Sequence, residues 1–419
     1  MAEITRRIGL SLGADICWPL CYQAIMKRLN LKIKEGGDTI RFEVERMGIT
    51  PFDLREHVPF DLVIDRLTHW YNPRREWIKK AMILDDVYVF NNPWSVQSME
   101  KLTTYAAMMR LGFPIPRTWL IPPKEYDPQA DLQVTLERYA EFFDLSQIGE
   151  TLGYPLFMKP YDGGGWKGVT RIDDQDALTE AYDRSGKLVM HLQEAVDPFE
   201  TYVRCVGLGP QTRLVSYEPA APLHDRYTRE TGFLTAPDAE LIRKMTLVIN
   251  AFFGWDFNSC EVLLKQGTWH PIDFANPCPD SQVTSLHYHF PWLIKANVRW
   301  SVFAAATKKP QGHLTWRRYF KLVEKDLPFS EQLDRYMRIV HHSFQTERFL
   351  EFCDAHLAHL DEVADDFFGS QEAKDAVRLK VEALYPAHEV DEFTEMFWQR
   401  IQDWRQAESS GDSLDLAVG

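Results

Sequence analysis

From Met158 to Val169 the chain reads Met-Lys-Pro-Tyr-Asp-Gly-Gly-Gly-Trp-Lys-Gly-Val. An apolar, β-rich run starting at Pro155 ends in Lys159, and a second strand-like run resumes at Val169. Glycines between two strands let backbone N–H groups turn toward an anion with no side chain in the way. Lys159 and Lys167, near the two ends, suit neutralisation of phosphate charge. The spacing is not GxxxxGK(S/T) and the segment opens no helix, so a P-loop nucleoside triphosphatase is disfavoured. A plain glycine hairpin with exposed lysines fits the same residues, so the segment needs company before it carries a function.

Two further signals supply it. His191-Leu192-Gln193-Glu194-Ala195-Val196 takes an apolar strand into an acidic turn. The peptide groups of such a turn suit the donor and acceptor edge of adenine, although an ordinary solvated strand end has the same pattern. Later, Glu261 and Asp273 stand in apolar strand contexts, with Asn276 three residues on. If a turn at Gln266-Gly267 joins two antiparallel strands, both carboxylates face one side. Two carboxylates and an amide oxygen form a hard oxygen site suited to Mg2+. Acids in apolar strands are costly to leave without partners.

The rest of the chain divides by character. Residues 1–115 alternate strand-like and helix-like stretches, with strands expected at 8–16, 39–44, 60–67 and 88–90. The run Phe60 to Leu67 reads as a buried parallel strand. A helix capped by Ser95 or Ser98 is expected to run to Leu111, and TWLIPP to be extended. The acidic stretch 124–150 reads as helical, with Leu132, Leu136, Tyr139 and Phe143 on one face. Residues 116–289 then carry strands from Pro155 to Phe274, separated by helices at 174–184 and 237–253. From 290 the chain reads as helical, with Phe349 to Phe367 spaced as one helix and the last ten residues as a disordered tail.

Composition narrows the partners. A net charge of −14 makes neither nucleic acid nor an anionic membrane a default partner. Six cysteines in 419 residues make no disulfide framework. With no signal peptide and no 18-residue apolar span, a cytoplasmic protein is expected.

The order of these motifs resembles a known family. Asn91-Asn92-Pro93, Glu100-Lys101 on a helix, and Gly112-Phe113-Pro114-Ile115-Pro116-Arg117-Thr118 are similar to the opening segment of ATP-grasp ligases. The similarity is greatest to the branch of glutathione synthetases and ribosomal-protein glutamate ligases. The lysine-ended strand, the glycine loop, the QEAV turn and the late acids follow in that family's order, over residues 8 to 280. The resemblance implies an α+β ATP-grasp fold, with an N-terminal α/β domain over 1–115, two lobes over 116–289 and an all-helical C-terminal extension over 290–419.

It also implies roles. Lys101 and Lys159 contact ATP phosphates, and Gly163, Gly164, Gly165, Lys167 and Gly168 cover them. Gln193, Glu194 and Val196 hold adenine, and Glu200 reaches the ribose. Arg204 joins Lys159 as a catalytic residue by stabilising charge on the transferred phosphoryl group or the acyl phosphate. Glu261, Asp273 and Asn276 bind Mg2+, with Mn2+ as the alternative ion. Two departures stand out: the family usually has Glu-x-Asn where this chain has Asp273-Phe274-Ala275-Asn276, and compact members lack the helical tail. The implied reaction joins a small-molecule or peptide carboxylate to an amine or a thiol through an acyl phosphate. A small-molecule kinase on the same fold, and an ATP-binding sensor or scaffold without turnover, are the competing readings. The loop Pro222 to Gly232, with Arg226 and Arg229, reads as a lid or carboxylate clamp, or as a solvent-facing loop. The helical extension reads as a packed cap or as a homo-oligomer contact.

Overall fold

The structure, a computed structural model, describes residues 3–96, 101–161, 167–312 and 314–409. Their packing gathers the chain into two compact units. One holds residues up to 98, 203–260 and from 277 onward, and the other holds 99–202 and 261–276. No helix among the described residues is long and apolar enough to cross a membrane.

The first unit opens with β1 (Glu3–Ser11), α1 (Cys17–Leu29), β2 (Ile33–Glu35), β3 (Asp38–Arg46), β4 (Leu62–Asp65), α2 (Asn72–Asp85) and β5 (Tyr88–Phe90). Their sheet has the order β2-β3-β1-β4-β5. β1 runs parallel to β3 and β4, β4 runs parallel to β5, and β2 is antiparallel to β3. Leu62, Val63 and Ile64 are all buried, as a strand covered on both faces requires. The helix α1 buries Cys17, Cys21, Tyr22, Ile25 and Leu29, a stripe at three- and four-residue steps. The expected helix to Leu111 is a short α3 (Pro93–Val96) and a separate α4 (Lys101–Arg110), with Ser98 outside the described residues.

The second unit takes α4, β6 (Thr118–Ile121), α5 (Ala130–Tyr139), α6 (Leu145–Leu152), β7 (Leu156–Pro160), β8 (Thr170–Ile172), α7 (Gln175–Ser185) and β9 (Met190–Glu194). The sheet order is β6-β9-β7-β8, with antiparallel neighbours throughout. Its core comprises Ile121, Ile148, Leu152, Leu156, Met158, Ile172, Leu178 and Leu192. The single acidic helix expected over 124–150 is two helices. Ala140 is extended, and the Asp144 carboxylate caps a new start by accepting from Gln147 N. α5 buries none of its residues, so the stripe through Leu132 and Tyr139 is not a core face.

Next come β10 (Thr201–Leu208), β11 (Gln211–Ser216), α8 (Ala236–Phe253), β12 (Phe257–Lys265) and β13 (Thr268–Asp273), in a sheet of order β11-β10-β12-β13. The unit boundary falls within β10 and β12, so Arg204 belongs to the first unit and Glu261 with β13 to the second.

The remaining helices belong to the first unit: α9 (Val283–Leu286), α10 (Phe290–Ala306), α11 (Trp316–Phe320), α12 (Phe329–Phe344), α13 (Thr346–His356), α14 (Leu360–Phe368), α15 (Gln371–Glu382) and α16 (Val390–Ser409). Every residue of α10 is buried, and it packs against β1, β4, α1, α13 and α14. The Tyr22 hydroxyl and Ser301 Oγ hydrogen-bond at 2.7 Å between α1 and α10. The helical segment is thus built onto the N-terminal sheet. Phe349 to Phe367 form two helices, α13 and α14, because the backbone leaves the helix at Leu357. The last ten residues lie outside the described residues.

Candidate functional site

β12 and β13 pair antiparallel, joined by a turn at Gln266 and Gly267 with positive φ at both residues. Their register sets Glu261 opposite Asp273, with a bulge between Glu261 and Val262. The two carboxylates therefore sit on adjacent strands, as the sequence leads one to expect. The Lys101 ammonium, at the start of α4, donates to Asp273 Oδ2 at 2.6 Å. Asn276 Nδ2 lies 3.4 Å from Asp273 Oδ1, so the additional residue in the DxxN spacing leaves the two side chains adjacent. The Tyr202 hydroxyl donates to Glu261 Oε2. Tyr202 stands two residues before Arg204 on β10, a tyrosine the sequence did not single out.

Lys159, at the end of β7, is nine-tenths buried. Its ammonium donates to Gln193 Oε1 at 2.7 Å and lies 3.5 Å from the Ile272 carbonyl. Burial, aided by the charge of Lys101, lowers its pKa to about 8, while Asp273 and Glu261 oppose the shift. Gln193 Nε2 donates in turn to Thr118 Oγ1 at 2.8 Å. The Tyr105 hydroxyl donates to the Ile272 carbonyl at 2.7 Å, and burial together with the Asp273 charge raises its pKa. His191, facing Lys159 in the β7–β9 register, is fully buried. Burial and the two lysines lower its pKa to about 4, so the ring is neutral.

The geometry gives several of the expected site residues partners within the protein. Gln193 spends its side chain on Lys159 and Thr118. The Glu194 carboxylate pairs with Arg117 Nε at 2.9 Å, and the Glu194 and Ala195 N–H groups donate to Arg117 and Pro155 carbonyls. Val196 is buried. Glu200 Oε1 accepts from Gln266 N at 2.8 Å and so fastens the β12–β13 turn. Gly163, Gly164 and Gly165 lie outside the described residues. Lys167 is exposed, and Gly168 has φ +72°, with Pro160 Cγ 2.9 Å from where a Cβ would stand. That position requires glycine.

Arg204, in the other unit, lies on β10. Its guanidinium sits 5.6 Å and 5.4 Å from the ring centroids of Tyr217 and Tyr227. It donates to the Tyr227 hydroxyl. In the loop after β11, Arg226 Nε donates to the Ala221 carbonyl and Arg229 pairs with Asp403. His287 and His289 are buried, and His289 Nε2 hydrogen-bonds the Thr228 carbonyl at 2.8 Å. Cys260 is fully buried.

Glu261, Asp273 and Asn276 offer only oxygen donors to a cation, the set that Mg2+ prefers, and the donor chemistry fits it. Lys101 and Lys159 stand beside them in the same unit, where they can meet the phosphates such an ion accompanies.

No family model matches the chain. It is 27% identical over 168 residues to a D-alanine–D-alanine ligase of Streptomyces griseus, covering 38% of this chain. The chain spans 41% of that ligase's length. Among solved structures, a D-alanine–D-alanine ligase from Bacillus anthracis complexed with ATP is 15% identical at a TM-score of 0.45, covering 82% of this chain and 99% of its own. A RimK domain ATP-grasp protein from Sphaerobacter thermophilus is 15% identical at 0.42, covering 65% and 92%. The sequence similarity to the Streptomyces ligase, with Lys101, Lys159 and the opposed carboxylates gathered in one unit, supports the ATP-grasp superfamily for this chain.

Proposed function

We propose that this chain is an ATP- and Mg2+-dependent ligase that joins a carboxylate to an amine through an acyl phosphate. The observation that carries the reading is the cluster in the second unit. Two carboxylates oppose each other across β12 and β13, with one lysine on Asp273 and another held by Gln193. The related ligase of Streptomyces griseus is named for a reaction of this class.

In this reading the substrate carboxylate oxygen attacks the γ-phosphorus of ATP, and ADP leaves. The amine then attacks the acyl carbon, loses a proton and expels phosphate; a thiol is the alternative nucleophile. Glu261, Asp273 and Asn276 hold the divalent ion, which supplies charge neutralisation at the phosphates. Lys159 and Lys101 disperse the same charge, and Tyr202 and Gln193 fix the directions of Glu261 and Lys159. The Gly163–Gly168 loop with Lys167 covers the phosphates, and Val196 borders adenine. Arg204, its guanidinium beside the Tyr217 and Tyr227 rings, steadies the acyl phosphate. The chain mainly positions groups and screens charge, so no Ser-His-Asp or Cys-His pair is required.

The test incubates the protein with Mg·ATP and pooled metabolite carboxylates and amines, following ADP and phosphate release. Asp273→Asn and Lys159→Ala run alongside. Release that depends on the pool and is lost in both variants supports the ligase, with mass spectrometry identifying the new C–N bond. A phosphorylated product would instead indicate a kinase. Mg·ATP binding without turnover would indicate a sensor, and absence of binding would overturn the assignment.

A further inference from the structure

The helical extension reaches back to the loop between β11 and α8. Arg400, on α16, donates through Nη1 to the His224 carbonyl and through Nη2 to Asp225 Oδ1, each at 2.5 Å. Asp403, less than one turn along the same helix, pairs with Arg229. The His224 ring meets the Phe393 ring edge-on at 5.3 Å, and Phe393 lies seven residues before Arg400 on the same face. On the loop's other side, His289 Nε2 hydrogen-bonds the Thr228 carbonyl. The loop is thus held at His224, Asp225, Thr228 and Arg229.

Between those points stands Tyr227. It forms a β-bridge with Tyr217, and its hydroxyl accepts from Arg204. Thr228 N donates to the Ser216 carbonyl and Glu218 N to the Arg226 carbonyl, which fixes the return limb against the end of β11. Arg204 is a long side chain whose guanidinium takes its direction from two tyrosine rings, and one of those rings belongs to this loop. A planar guanidinium aimed by stacking acts only where the stack holds it.

We infer that Arg400 and Asp403, from the helical extension, are positioning residues for Arg204, acting through the loop 222–232 and Tyr227. This rests on the proposed role of Arg204 at the phosphoryl or acyl phosphate. It gives the extension a part in the reaction: a compact chain lacking α16 would have to hold this loop by other means.

The experiment uses the full chain and compares Arg400→Gln, Arg229→Asp and the charge-reversed pair R229D/D403R with the unsubstituted protein. Hydrogen exchange of the 222–232 amides is read without substrate. ADP release is then read with the carboxylate and amine that the pools identify. Expected are faster exchange in Arg400→Gln and Arg229→Asp, and a kcat lower by about tenfold or more, with the KM for ATP within about twofold of the unsubstituted value. R229D/D403R restores both readouts, which a general loss of folding would not allow. Faster loop exchange with unchanged kcat overturns the inference while leaving the ligase reading intact. So does unchanged exchange in both single variants. No turnover by the unsubstituted protein with any pool removes the reading on which the role of Arg204 depends, and the inference with it.

Discussion

The Lys159 ammonium donates to the Gln193 side-chain oxygen at 2.7 Å across neighbouring strands, and both side chains are buried. The contact aims a lysine whose pKa has fallen to about 8, well below the ordinary lysine value. Below pH 8 the group is charged and above it neutral, so Mg·ATP affinity is expected to weaken as pH rises through about 8. Stability moves the other way. Between about pH 8 and about 10.4 the unfolded chain holds the proton that the folded chain has lost, so this group makes stability rise with pH. Calorimetry at about pH 7 and about pH 9.5 checks the binding. Lys159→Gln should bind weakly at both, and a flat profile in the unsubstituted protein would detach Lys159 from the nucleotide. Gln193→Leu, which removes the nearer of the ammonium's two acceptors, should weaken binding by about tenfold.

Lys101 and Asp273 form a partly buried ion pair, with side chains 7% and 24% exposed. Asp273→Asn strands the lysine and should cost about 1–3 kcal/mol, less than a fully buried pair because the aspartate keeps some water. The double variant K101M/D273N removes the stranded charge and should recover most of that stability. Turnover should stay lost if, as proposed, Lys101 contacts phosphate and Asp273 is a metal donor. Urea melts and ADP release on the same samples separate the two effects. Recovered turnover in the double variant would exclude both residues from the site.

Tyr202→Phe tests the metal face. The phenol donates to Glu261, so its loss should free the carboxylate to turn, at about 1 kcal/mol of stability. The expected signature is a higher Mg2+ concentration for half-maximal ADP release with little change in kcat at saturation. An unchanged Mg2+ dependence would remove Glu261 from the donor set.

Much of this arrangement was legible in the sequence because it rests on strand alternation. The opposed positions of Glu261 and Asp273 follow from two strands and the Gln266-Gly267 turn. β4 was readable as a buried parallel strand from the apolar centre of the run Phe60 to Leu67. What periodicity does not carry is partner choice. That the Gln193 side chain meets Lys159, and the Glu200 carboxylate Gln266 N, is written in no strand pattern. The helix breaks at Ala140 and Leu357 were hidden because apolar spacing continues across them, while a cap at Asp144 and the backbone at Leu357 decide the boundary. Packing also gathers the chain differently from its order. The fully buried α10 sits on β1 and β4, nearly three hundred residues away in β1's case, and no local pattern announces that.

His191 supplies the last prediction. Its ring is fully buried beside Lys159, and neither ring nitrogen has a hydrogen-bond partner among the described residues. A neutral imidazole always carries one N–H donor, so the ring bears an unmet polar cost. Its pKa is lowered to about 4, by burial first and then by the charges of Lys159 and Lys101. In the unfolded chain the value returns to about 6.5. Between these limits the unfolded state binds the proton and the folded state does not, so stability falls as pH drops from about 6.5 toward about 4. His191→Phe keeps the ring and removes both polar atoms and the titration. The variant should be at least as stable as the unsubstituted protein near pH 7, and should lose less stability on moving to about pH 5. Urea midpoints at the two pH values read the difference. An equal or steeper acid loss in His191→Phe would show that the histidine is protonated in the folded protein and has a partner there.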